Sequence, residues 1–342
     1  MKISYSSVVD WRQCQQLFDY RYAQGLEPKL QFPAPTLGRI LHRYLERYYT
    51  LGRDLPASEA HEQAKYMLSD EYEDEVAGLA FAARAADDNK LAEELACLLD
   101  RANRIIRRYY LVRGQVDLGV HKTVLAEQKI IYPLDDRIEI PCIVDLVTED
   151  QQGKHWLWEH KTSSSIPPTT RRLKDLQTTL LAAIIEEALG IKVDGVIWNY
   201  LRTKEPTVPA LLKSGEITRR SDLDSTWETY LGVIDENDLD WTDYADVKER
   251  LAGREESSFF PRHQMPIMQS EQVLLRDFEA TARAMYAIYS SGVGFVPVRN
   301  VSGMCDWCSF SRLCEAAILG GDDEEIIDRL FKRRETRIDN GS

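Results

Sequence analysis

The chain has 342 residues, with 43 Lys plus Arg against 56 Asp plus Glu and a formal net charge of −13. That balance excludes a protein that coats nucleic acid by bulk charge, so nucleic-acid contact has to come from a local basic groove. Apolar residues make up 44%, enough for a sizeable core. No run approaches the ~18 apolar residues of a membrane span, and the opening MKISYSSVVDWRQC lacks the apolar stretch of a secretory leader, which predicts a cytoplasmic protein.

In chain order, residues 3–22 read as a strand running into a helix, with Ser6 and Ser7 as candidate N-caps. Gly25, Pro28, Pro33 and Pro35 mark residues 23–35 as a loop. From Thr36 the helical spacing of Leu37, Ile40, Leu41, Tyr44, Leu45 and Tyr48 predicts a helix. Residues 57–112 read as a helical insertion, with Leu91, Leu95, Leu98, Ala102, Ile105, Ile106 and Tyr109 on one stripe.

The pattern then changes. Runs at 122–132, 138–148, 154–161 and 193–201 are rich in Val, Ile, Trp and Tyr and bounded by Asp, Gly and Pro, as strands are. A helix over about 171–189, stopped by Gly190, separates the last two. This block, 120–202, predicts an α/β core with a mixed central sheet flanked by helices. Residues 203–265 read as irregular and partly helical. A helix near 270–290 carries Leu274, Leu275, Phe278, Met285, Tyr286 and Tyr289. Residues 322–342 form a charged tail expected to end in disorder. The whole reads as one elaborated domain.

Six cysteines are unevenly spread: Cys305, Cys308 and Cys314 fall within ten residues, whereas Cys14, Cys97 and Cys142 are isolated. Such clustering in an intracellular chain points to metal or catalysis rather than disulfides. Cys97 and Cys142 fit apolar patterns and read as core. If the two termini meet, Cys14 completes a set of four thiolates able to hold Zn2+ or an iron–sulfur cluster.

The chemistry concentrates between residues 143 and 161. Asp145 interrupts the apolar run Ile143-Val144-Asp145-Leu146-Val147, and Glu159 and Lys161 stand at i and i+2 of the next strand, on one face and ~6.6 Å apart. Two carboxylates and an ammonium in a sheet are costly unless paired or metal-bound. Together they suit a divalent cation with a charged amine beside it, an arrangement that orients water and stabilises a developing phosphoryl charge. His42 lies on the flank of the helix after Thr36, and Gly38, four residues earlier, opens that helix to close packing. Gln177 follows the Glu–Lys strand on the next helix, where its amide can reach DNA or a metal-bound water. Arg171, Arg172, Lys174, Arg202 and Lys204 flank the site as candidate phosphate contacts. Trp156 and Trp158 alternate with Glu159 and read as core. Glu127 on the first strand is a possible additional carboxylate, with a solvated strand residue as the favoured reading. There is no phosphate-binding Gly-x-x-x-x-Gly-Lys-Ser/Thr, which argues against ATP-driven activity.

Gly38-x-x-x-His42, Asp145, Glu159-x-Lys161 and Gln177, with Cys14 far from Cys305-x2-Cys308-x5-Cys314, resemble the PD-(D/E)xK nuclease superfamily. More narrowly, they resemble RecB-like iron–sulfur exonucleases, of the CRISPR-associated and AddB nuclease-domain kinds. The resemblance implies a restriction-endonuclease-like core and a DNA nuclease, in particular an exonuclease preferring single-stranded ends. It implies that His42, Asp145, Glu159 and the His160 carbonyl ligate Mg2+ or Mn2+. Lys161 then positions or activates water, with Gln177 as a further catalytic residue. Cys14, Cys305, Cys308 and Cys314 would hold a [4Fe–4S] cluster, with zinc as the alternative. Implied partners are DNA ends and a helicase, recombinase or CRISPR-adaptation complex. Leu181 stands where the family often has Tyr, which puts that tyrosine's DNA contact in question. The acidic balance and the missing Tyr keep open a second reading, a nuclease-like subunit that binds DNA ends without cutting.

Overall fold

The computed structural model describes residues 1–30, 32–166, 168, 175–267, 272–290 and 295–334. The first helix, α1 (Tyr5–Gln13), is capped by Ser4, whose hydroxyl accepts the Ser7 N–H at 3.2 Å; Ser6 and Ser7 are not the caps. After α2 (Gln15–Phe18) and β1 (Leu26–Pro28), α3 (Pro33–Leu51) begins three residues before Thr36. Pro33 and Pro35, which read as loop, occupy its first turn, where a missing N–H costs no helical bond, and Pro28 ends β1. Leu37, Ile40, Leu41, Tyr44, Leu45 and Tyr48 are all buried, as their spacing predicts.

The helical insertion is resolved into α4 (Ala57–Ala85), α5 (Asn89–Ala96), α6 (Leu98–Tyr109) and, after a π-helical turn, α7 (Gln115–Val120). Asp87 at φ +62° ends α4, and Asp88 caps α5 by accepting the Leu91 N–H at 3.0 Å. The apolar stripe therefore spans two helices broken at Cys97. That cysteine is exposed and so is not the core residue its surroundings suggested, whereas Cys142 is half-buried and packs against the core.

The central sheet has the order β2 (His121–Asp135), β3 (Ile138–Asp150), β4 (His155–Ser163), β5 (Gly195–Arg202), β6 (Arg262–Pro266). β4 and β5 are parallel, and the other pairs are antiparallel. Between β4 and β5 lies α8 (Leu176–Leu189), capped by Asp175 and ended by Gly190 at φ +67°, a conformation that glycine adopts freely. The sequence RHQMP of β6 is polar and ends in proline, which suits an edge strand and explains why periodicity did not mark it.

Both faces of β4 and β5 are covered. Trp156, Trp158, Ile197 and Leu201 pack with α3, α4 and α6 on one face. Leu157, Val196, Trp198 and Tyr200 pack with α1, α8 and Phe278, Ala282 and Met285 of a long helix on the other. This two-sided burial turns the period-two strand pattern into a continuous apolar run. The irregular stretch carries α9 (Trp227–Glu236) and α10 (Ala245–Arg250), which share a small separate core with Ile217, Tyr230 and Tyr244. The long helix is α11 (Gln272–Ser290), followed by α12 (Ser311–Leu319) and α13 (Asp323–Leu330). The charged tail is thus ordered through β7 (Phe331–Arg333), which pairs antiparallel with β1. Among the described residues no helix is long and apolar enough to cross a membrane.

Gly195 marks the tightest point of the sheet, since a Cβ there would lie 2.6 Å from the Met265 carbonyl oxygen and overlap the Trp156 ring. Gly195→Ala should cost about 1–3 kcal/mol through overpacking, read as a lowered Tm in calorimetry.

Candidate metal centre and active site

The β3–β4 ladder runs from Glu149–His155 to Leu146–Trp158 and stops. Asp145 and Glu159 are the next residues in register. Beyond the ladder, the His160 N–H donates to Asp145 Oδ2 at 2.9 Å, so the Asp145 side chain satisfies a buried backbone donor. On the other side of β3, the pairs Ala126–Leu146 and Gln128–Val144 place Glu127 of β2 opposite Asp145. Glu127 sits at φ +44°, a left-handed conformation that costs a non-glycine residue of order 1 kcal/mol or more and that clusters at functional sites.

From above, α3 delivers His42. Its Nδ1 lies 3.7 Å from Asp145 Oδ2 and 3.9 Å from Glu127 Oε1. A Cβ on Gly38, one turn earlier, would lie 3.1 Å from Thr162 Oγ1 of β4, so the missing side chain is what lets α3 approach the strand. His42, Glu127 and Asp145 present ligand atoms within 4.8 Å of one another. The tight triad therefore contains Glu127, which the sequence marked as solvated, where Glu159 was expected. Hairpin counting about Asp136 puts Glu127 opposite Asp145, in line with its reading as a possible additional carboxylate.

Glu159 is fully buried. One oxygen makes a very short contact with the Lys161 ammonium, and Oε2 is buried with no hydrogen-bond partner. Lys161 also donates to Gln177 Oε1 at 3.2 Å, so β4 and the first turn of α8 converge as expected. Burial and the neighbouring Asp145 push Glu159 up to about 7 despite Lys161. Burial also raises Asp145, with His42 and the His160 N–H opposing. For His42, burial lowers the pKa, but the nearby carboxylates of Glu127 and Asp145 outweigh it, and the net shift is upward. Lys161 follows the same logic: desolvation opposes its charge, and Glu159 more than restores it. Two carboxylates and an imidazole form a hard oxygen-and-nitrogen set suited to Mg2+ or Mn2+, and the orphaned Glu159 oxygen is the kind of acceptor that a cation or its water would satisfy.

Leu181 is 3% exposed and packs in the core beneath α8, so it offers nothing to a ligand. Tyr5, which the sequence did not single out, reaches the same neighbourhood: burial raises its phenol, and Asp175, Lys161 and Glu159 act on it electrostatically. The His160 imidazole is buried, as expected from its facing away from Glu159. Burial and the nearby His42 and Arg262 hold it neutral. Arg202 is engaged within the fold, 2.8 Å from Asp224 and stacked 4.4 Å from the Phe259 ring; it does not present a free guanidinium to phosphate. Lys204 is half exposed and pairs with the same carboxylate at 2.9 Å. Arg171, Arg172 and Lys174 lie outside the described residues.

The terminal segments meet. Gln16 N–H donates to Val298 O at 3.3 Å, Asn300 Nδ2 to Gln13 O at 2.9 Å, and Leu17, Tyr20 and Leu26 pack with Phe310, Leu313, Ile327 and Phe331. Cys14, Cys305, Cys308 and Cys314 all line one cavity of about 200 Å3. Among the described residues, however, no three of their sulfurs lie within 4.8 Å of one another.

The profile of the PD-(D/E)XK nuclease superfamily matches residues 2–315, nearly the whole chain. The chain belongs to this superfamily, and its mixed five-stranded sheet with flanking helices is consistent with the restriction-endonuclease-like fold. A search of curated proteins returns no significant match. Membership supports a nuclease that uses divalent metal and acts on DNA.

Two outcomes follow. Gly38→Ala should weaken Mn2+ binding several-fold in calorimetric titration, because Thr162 has to give way by a few tenths of an ångström and α3 carries His42 with it. Because Glu159 titrates higher in the folded chain than its ordinary 4.5, the folded state binds the extra proton and metal-free stability falls as pH rises toward about 7. The Tm of Glu159→Gln relative to wild type should therefore increase between about pH 5 and pH 8.

Proposed function

We propose that this chain is a Mg2+- or Mn2+-dependent exonuclease that hydrolyses phosphodiester bonds in single-stranded DNA ends. The observation that carries the reading is the convergence of His42, Glu127 and Asp145 on one point, beside Glu159, Lys161 and Gln177. An acidic chain meets DNA only through a restricted path, which favours one threaded strand and backbone contacts over a broad duplex surface.

His42, Glu127 and Asp145 would hold the cation, with Glu159 and the His160 carbonyl as further oxygens. A bound divalent ion supplies Lewis-acid charge and water of lowered pKa. Lys161 is kept protonated by Glu159, so it acts as a fixed positive charge that orients water and offsets charge developing on the phosphate, and not as a proton acceptor. Gln177 fixes the Lys161 ammonium from α8 and leaves its amide NH2 to face substrate. Leu181 removes the tyrosine contact, and Tyr5 brings a phenol to the same side of the site from α1.

For the four cysteines we favour a [4Fe–4S] cluster. Four cysteines lining one cavity offer the all-thiolate ligand set that such a cluster takes, and zinc is the competing metal for the same set. Anaerobically purified protein should contain iron and acid-labile sulfide, and Cys305→Ala should lose both. Zinc without iron would reverse the assignment.

The nuclease reading is tested with end-labelled linear and circular single-stranded DNA in Mn2+. Wild type should degrade the linear form and spare the circle, and Asp145→Ala or Lys161→Met should cut activity at least 100-fold. Cleavage of the circle would replace exonuclease by endonuclease. Inactivity of wild type across several metals, with DNA-end binding retained, would favour the binding-subunit reading.

A further inference from the structure

Behind the site lies a buried polar network. In the sheet register His160 of β4 faces Asn199 of β5, which faces Arg262 of β6. Arg262 Nε donates to Asn199 Oδ1 at 2.9 Å, so the amide NH2 points the other way, toward His160 Nδ1 at 3.0 Å and Tyr109 Oη at 3.1 Å. His160 Nδ1 is therefore the acceptor, and the ring proton resides on Nε2. Arg262 makes two 2.6 Å contacts to Asp117 of α7, and Tyr49 of α3 donates to the same carboxylate at 2.7 Å. Asn199, Asp117, Tyr49 and Tyr109 are essentially excluded from solvent, and the Arg262 guanidinium lies 4.7 Å over the Trp158 ring.

A buried ion pair tied into so many hydrogen bonds is weak evidence for stability, because apolar packing of the same volume often does as well. What it supplies is a fixed geometry, and the group at its end is His160, the residue whose N–H holds Asp145.

We propose that Arg262 and Asn199 are positioning residues for the metal centre, fixing through His160 the β4 backbone that orients Asp145. The inference rests on the reading of His42, Glu127 and Asp145 as the cation site. Partners behind metal ligands commonly tune affinity by about 10–100-fold.

The test is Mn2+ titration of the full-length protein followed by electron paramagnetic resonance, with 15N imidazole spectra of His160 and Tm recorded alongside. Asn199→Asp keeps the acceptor for Arg262 but places an acceptor opposite His160 Nδ1. It should shift the ring proton to Nδ1 and weaken Mn2+ binding about tenfold or more. Arg262→Lys, which cannot engage Asn199 and Asp117 together, should weaken it in the same direction. Val233→Ala, destabilising but set in the small separate core of α9 and α10, should lower Tm and leave Mn2+ affinity unchanged. Unchanged affinity in both relay variants, with binding lost in Asp145→Ala, overturns the relay and leaves the cation site standing. Unchanged binding in Asp145→Ala overturns the site and the relay with it. Should both relay variants fail to fold, Tyr109→Phe removes a single hydroxyl from the network, and its Mn2+ affinity decides: several-fold weaker supports the relay, unchanged refutes it.

Discussion

Crowding of negative charge at the end of the β3–β4 ladder is the constraint around which the rest is arranged. Glu127, Asp145 and Glu159 sit in adjacent strands, and burial together with a neighbouring carboxylate makes Asp145 and Glu159 harder to ionise. The fold answers with cations from different elements, His42 from α3 and Lys161 from β4 itself, and with the His160 N–H. No one element could supply all of these. The helix–sheet approach at Gly38 and the turn into α8 are geometric requirements of that electrostatic problem, and the same concentration of carboxylates would favour a divalent ion in the proposed site.

Much of the fold was legible. The strands of the core stand out because they are covered on both faces and so read as apolar runs, and α3 and α6 because each is covered on one. The spacing from Gly38 to His42 and from Glu159 to Lys161 encodes contacts within single elements, which sequence states directly. What stayed hidden depends on pairing between elements. Glu127 acquires meaning only through its cross-strand position opposite Asp145. β6 is polar because its inward residue is Arg262, whose charge is compensated by Asp117, 145 positions earlier. Tyr5 is distant in sequence from Glu159, Lys161 and Asp175, the site residues it approaches.

The likeness to iron–sulfur nucleases divides along the same line. Superfamily membership follows from motifs that one profile spans from residue 2 to residue 315. The cysteine arrangement depends on two chain ends reaching each other, which no local pattern guarantees. They do meet, and they are held by apolar packing and backbone bonds. Inorganic ligation at that cavity would thus reinforce a junction that the polypeptide already forms.

The pairing of β1 with β7 has a consequence for biogenesis. Leu26–Pro28 wait for Phe331–Arg333, so during synthesis the early segment remains without its partner until residues 331–333 have left the ribosome. Closing a loop of that size carries an entropic penalty that grows only slowly with length, but it delays completion of this region relative to the locally folded helices. The junction is therefore among the last parts to assemble, and it is the stage at which nascent chains would be most exposed to chaperones or to premature oxidation of their thiols.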